Sequence, residues 1–254
     1  MGTAYRWPYI RLVEPAAIPD VVPSPAATVI ALRRVSGGFE VLLVRRAREA
    51  RFMGGARVFP GGGVDEVDRG PAASAAVRWS GDPDELPWRA AALRELAEEA
   101  GLLLTDRPVS VDGLSGAGLY DAIVAAGARF DADTLVYLSN WVTPRGLPRR
   151  FDARFYVVEV PAGTVAVSDR VEVYDAAWVT PAAAIAAAEE GAWYVEHPTR
   201  VHLEMLAAES GIDEVLAMAR SRPAERIEPR IYLDEAGEWS IAMPGDPGYG
   251  EVTP

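Results

Sequence analysis

The segment PWRAAALRELAEEAG (87–101) constrains the rest of this 254-residue chain more than any other. Proline opens it, Ala and Leu run through it, and Gly101 stands where a helix has to stop, so it predicts a helix. Strand-like runs lie on both sides. ATVIALRRV (27–35) and FEVLLVRRA (39–47) are joined at Gly37-Gly38, a hairpin signal, and TLVYLSNWVTP (134–144) and RFDARFYVVEVP (150–161) follow the helix. Strands and helices alternate without a strict βαβ rhythm. The expectation is an α/β or α+β domain around a mixed sheet.

Residues 1–24 are Pro-rich and read as an N-terminal arm. GGARVFPGGG (54–63) reads as a Gly/Pro loop around a short strand, and 65–87 as a polar loop. Further helices are expected at 117–129, in PAAAIAAAEEG after the strand VYDAAWVTP (173–181), and in HPTRVHLEMLAAESG and IDEVLAMARS. ERIEPRIYL and EWSIAMPG read as late strands. There is no internal repeat or long linker, so 25–245 is expected to be a single domain followed by a tail at 246–254.

At 50% hydrophobic content the chain has ample core. Its apolar runs are short, such as AAAI at 182–185, far below the ~20 residues that span a bilayer. MGTAYRWPYIRLVEPAAIP carries Arg, Glu and Pro where a signal peptide needs an unbroken apolar core, so a cytoplasmic location is expected. The absence of cysteine excludes disulfides, thiolate metal sites and cysteine nucleophiles. Every basic residue is Arg, which excludes a Schiff-base or P-loop lysine. A net charge of −12 argues against nucleic-acid or anionic-membrane partners. An anionic substrate would need a local basic patch or a metal.

Within the helix, Glu95, Glu98 and Glu99 share one face. Like charges at that spacing cost roughly 0.2–0.5 kcal/mol per pair. A solvated acidic face, with Arg94 paired to Glu98, would explain them. Three features favour another reading. The glutamates sit near the negative end of the helix dipole. They follow a Gly-rich loop and a long polar stretch. Carboxylates gathered against electrostatics suit a hard divalent cation, which takes oxygen ligands.

The order of residues resembles the Nudix hydrolase box: a glycine, five residues, an acidic residue, a spacer, then Arg-Glu-apolar-x-Glu-Glu-x-Gly-apolar. Arg94, Glu95, Leu96, Glu98, Glu99, Gly101 and Leu102 match its second half, and Gly62 with Asp68 match the first, Asp replacing the usual Glu. The spacer is normally seven residues; here 25 intervene, an insertion of 18. That departure bears on the role of Asp68. A branch resembling the peroxisomal acyl-coenzyme A diphosphatases also carries an interrupted box. The resemblance implies an α/β/α sandwich around a mixed sheet. It also implies Mg²⁺ or Mn²⁺ held by Glu98, Glu99 and the Gly62 carbonyl, with Glu95 a third ligand or an orienter of the catalytic water and Arg94 holding the carboxylates in place.

Upstream, Arg45, Arg46, Arg48, Arg51 and Arg57 stand out in an otherwise acidic chain. They could balance surface charge. They could instead form a phosphate-binding rim, because the planar guanidinium fork suits phosphate oxygens. The stretch resembles a signature of coenzyme A diphosphatases at Leu42, Leu43, Arg46, Ala47, Arg51, Gly55, Phe59, Pro60, Gly61 and Gly62, with Val44 replacing Thr. The resemblance implies a small-molecule diphosphate of the coenzyme A type as substrate, contacted by Arg46, Arg51 and Arg57. ADP-ribose, a nucleotide sugar or NADH is the alternative. A catalytically inactive sensor domain is the alternative of another class.

No dinucleotide fingerprint, Walker loop or nucleophile elbow is present. His197 and His202 are five apart, the wrong spacing for a helical metal pair, and read as structural or surface residues. Trp141, Trp178 and Trp193 read as core or pocket wall. Glu172 and, less so, Asp175 are candidates for a general base or extra ligand, Glu95 being the other candidate base. The insertion reads as a lid, a contact in a homodimer, or an inert loop, with the lid favoured by its closeness to the box.

Overall fold

The computed structural model describes residues 21–47, 54–111, 113–169, 172–221, 223–233, 239–247 and 249–250. Most of the expected N-terminal arm, Arg48 and Arg51 lie outside the described residues.

Two long strands start the domain: β1 (Ser24–Val35) and β2 (Gly38–Arg46), antiparallel from Leu32↔Val41 to Val35↔Gly38. Gly37, at φ +83°, supplies the left-handed conformation their tight turn requires. β3 (Arg57–Val58) pairs with the far end of β2, and β4 (Gly61–Gly63) with the near end of β1, at Ala26↔Gly63 through Thr28↔Gly61. β1 therefore changes partner along its length, from β4 to β2. Its other edge runs parallel to β8 (Phe151–Val160) over ten pairs, Ser24↔Phe151 to Arg33↔Val160. β7 (Val136–Val142) lies antiparallel to β8, β10 (Glu225–Ile227) parallel to β7, and β9 (Val173–Val179) antiparallel to β2. The result is the expected mixed sheet, with eight strands among the described residues.

Buried side chains form one cluster on each face, because alternate residues of a strand point to opposite sides. Ala27, Val29, Ala31, Leu42, Tyr156 and Val158 pack with Leu93 and Leu96 of α3 (Leu86–Ala100) and Leu119 and Ile123 of α4 (Gly116–Ala125). Ile30, Leu32, Val41, Leu43 and Phe155 belong to the other cluster. It also holds Ala184 of α5 (Pro181–Glu189), Leu203 and Leu206 of α6 (His197–Ala207) and Val215 of α7 (Ile212–Ser221). Helices cover both faces, giving the α/β/α sandwich.

The stretch 65–87 is not the loop expected from its composition. It forms α1 (Glu66–Arg69), α2 (Pro71–Ala76), the short strand β5 (Val77–Arg78) and a 3₁₀ turn at Pro83–Glu85. β5 runs parallel to β6 (Phe130–Asp131). Ala73, Ala76 and Val77 are buried in the core with α4. Small alanines let these helices approach closely, which a reading of polarity alone does not register. Two arginines fasten the segment. Arg89 lies under the Trp79 ring at 3.5 Å and donates to the carbonyls of Ala132 and Leu135, and Arg154 donates to Glu85 Oε1 at 3.3 Å. Nothing from 69 to 87 lines the main cavity. The segment is a buttress behind α3, not the expected lid.

ERIEPRIYL likewise divides at Glu228-Pro229 into β10 and β11 (Arg230–Leu233). β11 pairs instead with β12 (Trp239–Ala242) in a separate two-stranded ribbon. Proline cannot continue the ladder, which accounts for the break.

Candidate active site

α3 is helical for the reasons read from its sequence, and it ends at Gly101, whose φ of +65° only glycine adopts readily. Leu93, Leu96 and Ala100 face the core. The same periodicity turns Glu95 and Glu99 toward β4, while Glu98 reaches Arg94 and the Gly116 N–H at the start of α4. Gly61 N–H donates to Glu99 Oε2 at 2.9 Å. A Cβ at Gly62 would lie 2.4 Å from Glu95 Oε1, so only glycine lets the carboxylate pack against this strand. β4 is thus an all-glycine strand because a helix face of glutamates rests on it.

Arg94 organises the carboxylates. It is buried and reaches Glu95 Oε1 at 2.8 Å, Glu98 Oε2 at 3.2 Å and the Gly63 carbonyl at 3.0 Å. Its Nε and Nη2 meet the two oxygens of Asp68, each at 2.8 Å, in a bidentate pair. Burial alone would lower the Arg94 pKa, but Asp68, Glu95 and Glu98 outweigh it and hold the guanidinium charged. Asp68 keeps its expected place despite the insertion, because α1 directs it back into the core while the extra residues fold away. The same carboxylate accepts from the Asp65 N–H at 2.8 Å and from the Tyr120 hydroxyl at 2.6 Å. It is 1% exposed and fully used by these partners. Its place is beside Arg94 as a fixed counter-ion.

Burial, reinforced by Glu98 and Glu172, raises Glu95 to about 7 against the pull of Arg94. Burial raises Glu99 to about 8, with Glu95 and Glu172 adding and the Gly61 N–H and Arg46 opposing. Both shifts mark carboxyls that are buried close together with too little positive charge nearby to favour the ionised form. Among the described residues no three His, Asp or Glu side chains form a ready metal cage. Arg94 occupies an oxygen each of Glu95 and Glu98, Gly61 one of Glu99, and the Gly116 N–H one of Glu98 at 2.7 Å. The donor set nonetheless fits a hard divalent cation. It is all oxygen, it is over-rich in charge, and Glu95 and Glu99 each keep an oxygen free of hydrogen bonds among the described residues.

These groups line one end of a cavity of about 520 Å³. Its floor is Ala26 and Thr28 of β1 and Phe151, Ala153 and Phe155 of β8. Trp141 stands in its wall. Of the sequence-derived residues, Gly62, Arg94, Glu95, Glu98, Glu99, Arg46 and Glu172 meet at this cavity. Arg46 presents a buried Nε with no partner among the described residues. Arg57 does not join them. Its guanidinium lies over the Trp193 ring at 4.6 Å and donates to the Asp175 carbonyl. Asp175, whose φ of 50° bends β9 locally, pairs with Arg45 at 2.6 Å, so it too is engaged away from the carboxylates. Arg57 therefore lies outside the cavity lining, a correction to the sequence expectation that groups it with Arg46. In a strand, Arg45 and Arg46 face opposite sides, and Arg57, paired with Arg45 across the ladder, shares the wrong one.

His202 is structural, as expected. Its ring is wholly buried between Ser139 Oγ at 2.7 Å and the Pro198 carbonyl at 2.6 Å, and burial lowers it to about 4. Sequence reasoning missed Tyr120 and Arg149. Nothing in GAGLYDAIVA marks its tyrosine, because its partner Asp68 is distant in the chain and brought close only by folding. Arg149 adjoins a strand that was read correctly, yet its place at the cavity follows only from the pairing of β8 with β1.

A Nudix fold built from the box residues at one cavity can be compared with known proteins. The family model described as NUDIX domain matches residues 22–197, well over half of the chain. The chain belongs to the NUDIX domain family. Members of this family are hydrolases of phosphoanhydrides in small-molecule diphosphates and generally require Mg²⁺ or Mn²⁺. A Caenorhabditis elegans protein named "Putative nudix hydrolase 7" is 31% identical over 179 residues, 66% of this chain and 55% of that protein. This chain therefore spans about half the length of that relative. The Homo sapiens acyl-coenzyme A diphosphatase NUDT19 is 26% identical over 275 residues, covering 84% of this chain and 73% of that one. The crystal structure of a NUDIX hydrolase from Alicyclobacillus acidocaldarius superposes with a TM-score of 0.68 at 29% identity, covering 77% of this chain and 96% of that chain.

Proposed function

We propose that this Nudix protein hydrolyses the diphosphate of coenzyme A or an acyl-coenzyme A, releasing 3′,5′-ADP and a 4′-phosphopantetheine product. The observation that carries the reading is the apposition, in one cavity, of three box glutamates, an all-glycine strand and Arg46, whose buried Nε has no partner among the described residues. The aromatic floor beyond them offers apolar surface that a pantetheine arm or acyl chain would cover. The likeness to the human acyl-coenzyme A diphosphatase supports the choice of substrate.

Glu95, Glu98, Glu99 and the Gly62 carbonyl would hold Mg²⁺ or Mn²⁺. Bound there, the cation would supply charge neutralisation of the diphosphate and a more acidic water. Arg94 keeps Glu95 and Glu98 oriented and Asp68 keeps Arg94 in place. Arg46 binds a phosphate oxygen and offsets charge near Glu99. Glu95, or the exposed Glu172 at the cavity rim, would take the proton. The test is release of 3′,5′-ADP from coenzyme A with Mg²⁺ or Mn²⁺, beside Glu98→Gln. Turnover that collapses in the variant supports the reading. Absence of turnover refutes the substrate and directs the assay to ADP-ribose and nucleotide sugars.

A further inference from the structure

The cavity has a second charged end that the hydrolytic step does not use. Arg149 lines it just before β8, is exposed, and has no hydrogen bond or ion pair among the described residues. Its neighbours are engaged. Arg150 binds Glu228 at 2.6 Å and the Thr143 carbonyl at 3.0 Å, Arg145 lies 3.8 Å from Glu228, and Arg226 binds Asp152 at 3.0 Å. The acidic groups of this corner are therefore already paired with other arginines. In a chain of net charge −12, an unpaired arginine at a cavity wall is a conspicuous local charge.

The strand register sets the separation of β8 from β4, and Arg149 stands two residues before the start of β8, four before Ala153. Gly63 pairs with Ala26, and Ala26 with Ala153, so β8 lies two strand spacings, roughly 10 Å, from β4. Phe151 and Phe155 form the floor between the two ends, and Trp141 the wall. A ligand whose diphosphate sits at the glutamates can lay a ring on this aromatic surface and carry a further anionic group to Arg149.

We propose that Arg149 binds a second phosphate of the substrate, a phosphomonoester remote from the scissile diphosphate. In the coenzyme A reading, on which this inference rests, that group is the 3′-phosphate. A guanidinium offers such a dianion two parallel donors, and an unpaired one forfeits no existing ion pair in doing so. Arg57, expected from sequence to serve the phosphates, is committed to Asp175 and Trp193. Arg149 thus determines specificity and leaves the bond-breaking step to the glutamates.

The experiment measures kcat and KM for coenzyme A and 3′-dephospho-coenzyme A with the wild type, Arg149→Gln and Arg149→Lys. Melting curves provide the control that folding is intact. The expected result is a wild type that prefers coenzyme A. Arg149→Gln should lower kcat/KM for coenzyme A roughly 10–100-fold, mainly through KM, and dephospho-coenzyme A far less. Lysine, which keeps the charge but loses the fork, should fall between. Equal losses on both substrates, no loss on either, or a wild type that cleaves both alike would overturn the inference and leave the hydrolase reading standing. A wild type that cleaves neither substrate overturns the proposed function and the inference together.

Discussion

The two ends of the cavity differ in how completely the protein satisfies its own charges. At the α3 end, Arg94 is surrounded by Asp68, Glu95 and Glu98, Asp68 is further held by Tyr120 and a backbone amide, and glycines are pressed against the carboxylates. At the β8 end, Arg149 has no partner among the described residues. The first end is built during folding and stays in place. The second is completed only by what binds. A group that must be positioned for chemistry gains from a buried, cross-linked setting. A group that reads a ligand gains from having nothing to give up.

This contrast can be broken from its built end first. Glu98→Gln should reduce kcat for phosphoanhydride hydrolysis about 1,000-fold, within the range for loss of a group that stabilises transition-state charge. Because Glu98 is only half-buried, its melting temperature should stay close to wild type. A variant retaining a tenth of the activity would remove Glu98 from the metal set. Next, Asp68→Asn should destabilise the fold by about 3 kcal/mol, since it strips the buried Arg94 of a charged partner. Urea unfolding reads this directly, and a loss below ~1 kcal/mol would show that the Arg94–Asp68 pair is not what holds the split box together. Tyr120→Phe removes one hydrogen bond to the same carboxylate and should lower stability by about 1.5 kcal/mol. An effect as large as that of Asp68→Asn would place the main anchor at the tyrosine instead.

The floor between the ends supplies a pH test. Folded His202 stays neutral down to about pH 4, whereas an unfolded histidine takes up its proton near its ordinary value of 6.5. Between those values the unfolded state binds more protons, so this histidine's contribution to stability is full above pH 6.5 and is lost as pH falls toward 4. Melting temperatures of the wild type should fall across that window more steeply than those of His202→Gln. Parallel curves would mean that the acid sensitivity arises elsewhere. The smallest effect is expected at Arg57→Gln. KM for coenzyme A should stay within about twofold of wild type, because the Arg57 guanidinium is held over Trp193 and against the Asp175 carbonyl, outside the cavity lining. A tenfold rise would return Arg57 to the phosphate site and weaken the contrast with Arg149.

How much of this was legible depended on the range of the interaction that decides each feature. α3 was readable to within one residue at each end, since proline, alanine, leucine and the terminal glycine act locally. The long strands β1, β2, β7 and β8 were readable from apolar patterning. The buttress was not, because AASAAV carries no strong local preference and its helices are held by burial against α4 and by Arg89 beneath Trp79. The break at Pro229 has a local cause that was present in ERIEPRIYL and passed over.

For the site, the motif order identified Gly62, Arg94, Glu95, Glu98 and Glu99, and these five do meet. The arginines divided otherwise. Arg46 and Arg57 looked equivalent in composition, yet strand alternation put one at the cavity and the other against Asp175. What the sequence by itself determined was the local order of the helix and its face of glutamates, because 3.6-residue periodicity needs no distant partner. What only the tertiary structure decided was which charges are spent and which remain available. Asp68 meets Arg94 across 26 positions and Tyr120 across 52, while Arg149 has no hydrogen bond or ion pair among the described residues. Such pairings depend on sheet register and helix packing, which bring distant residues together according to the whole chain's burial.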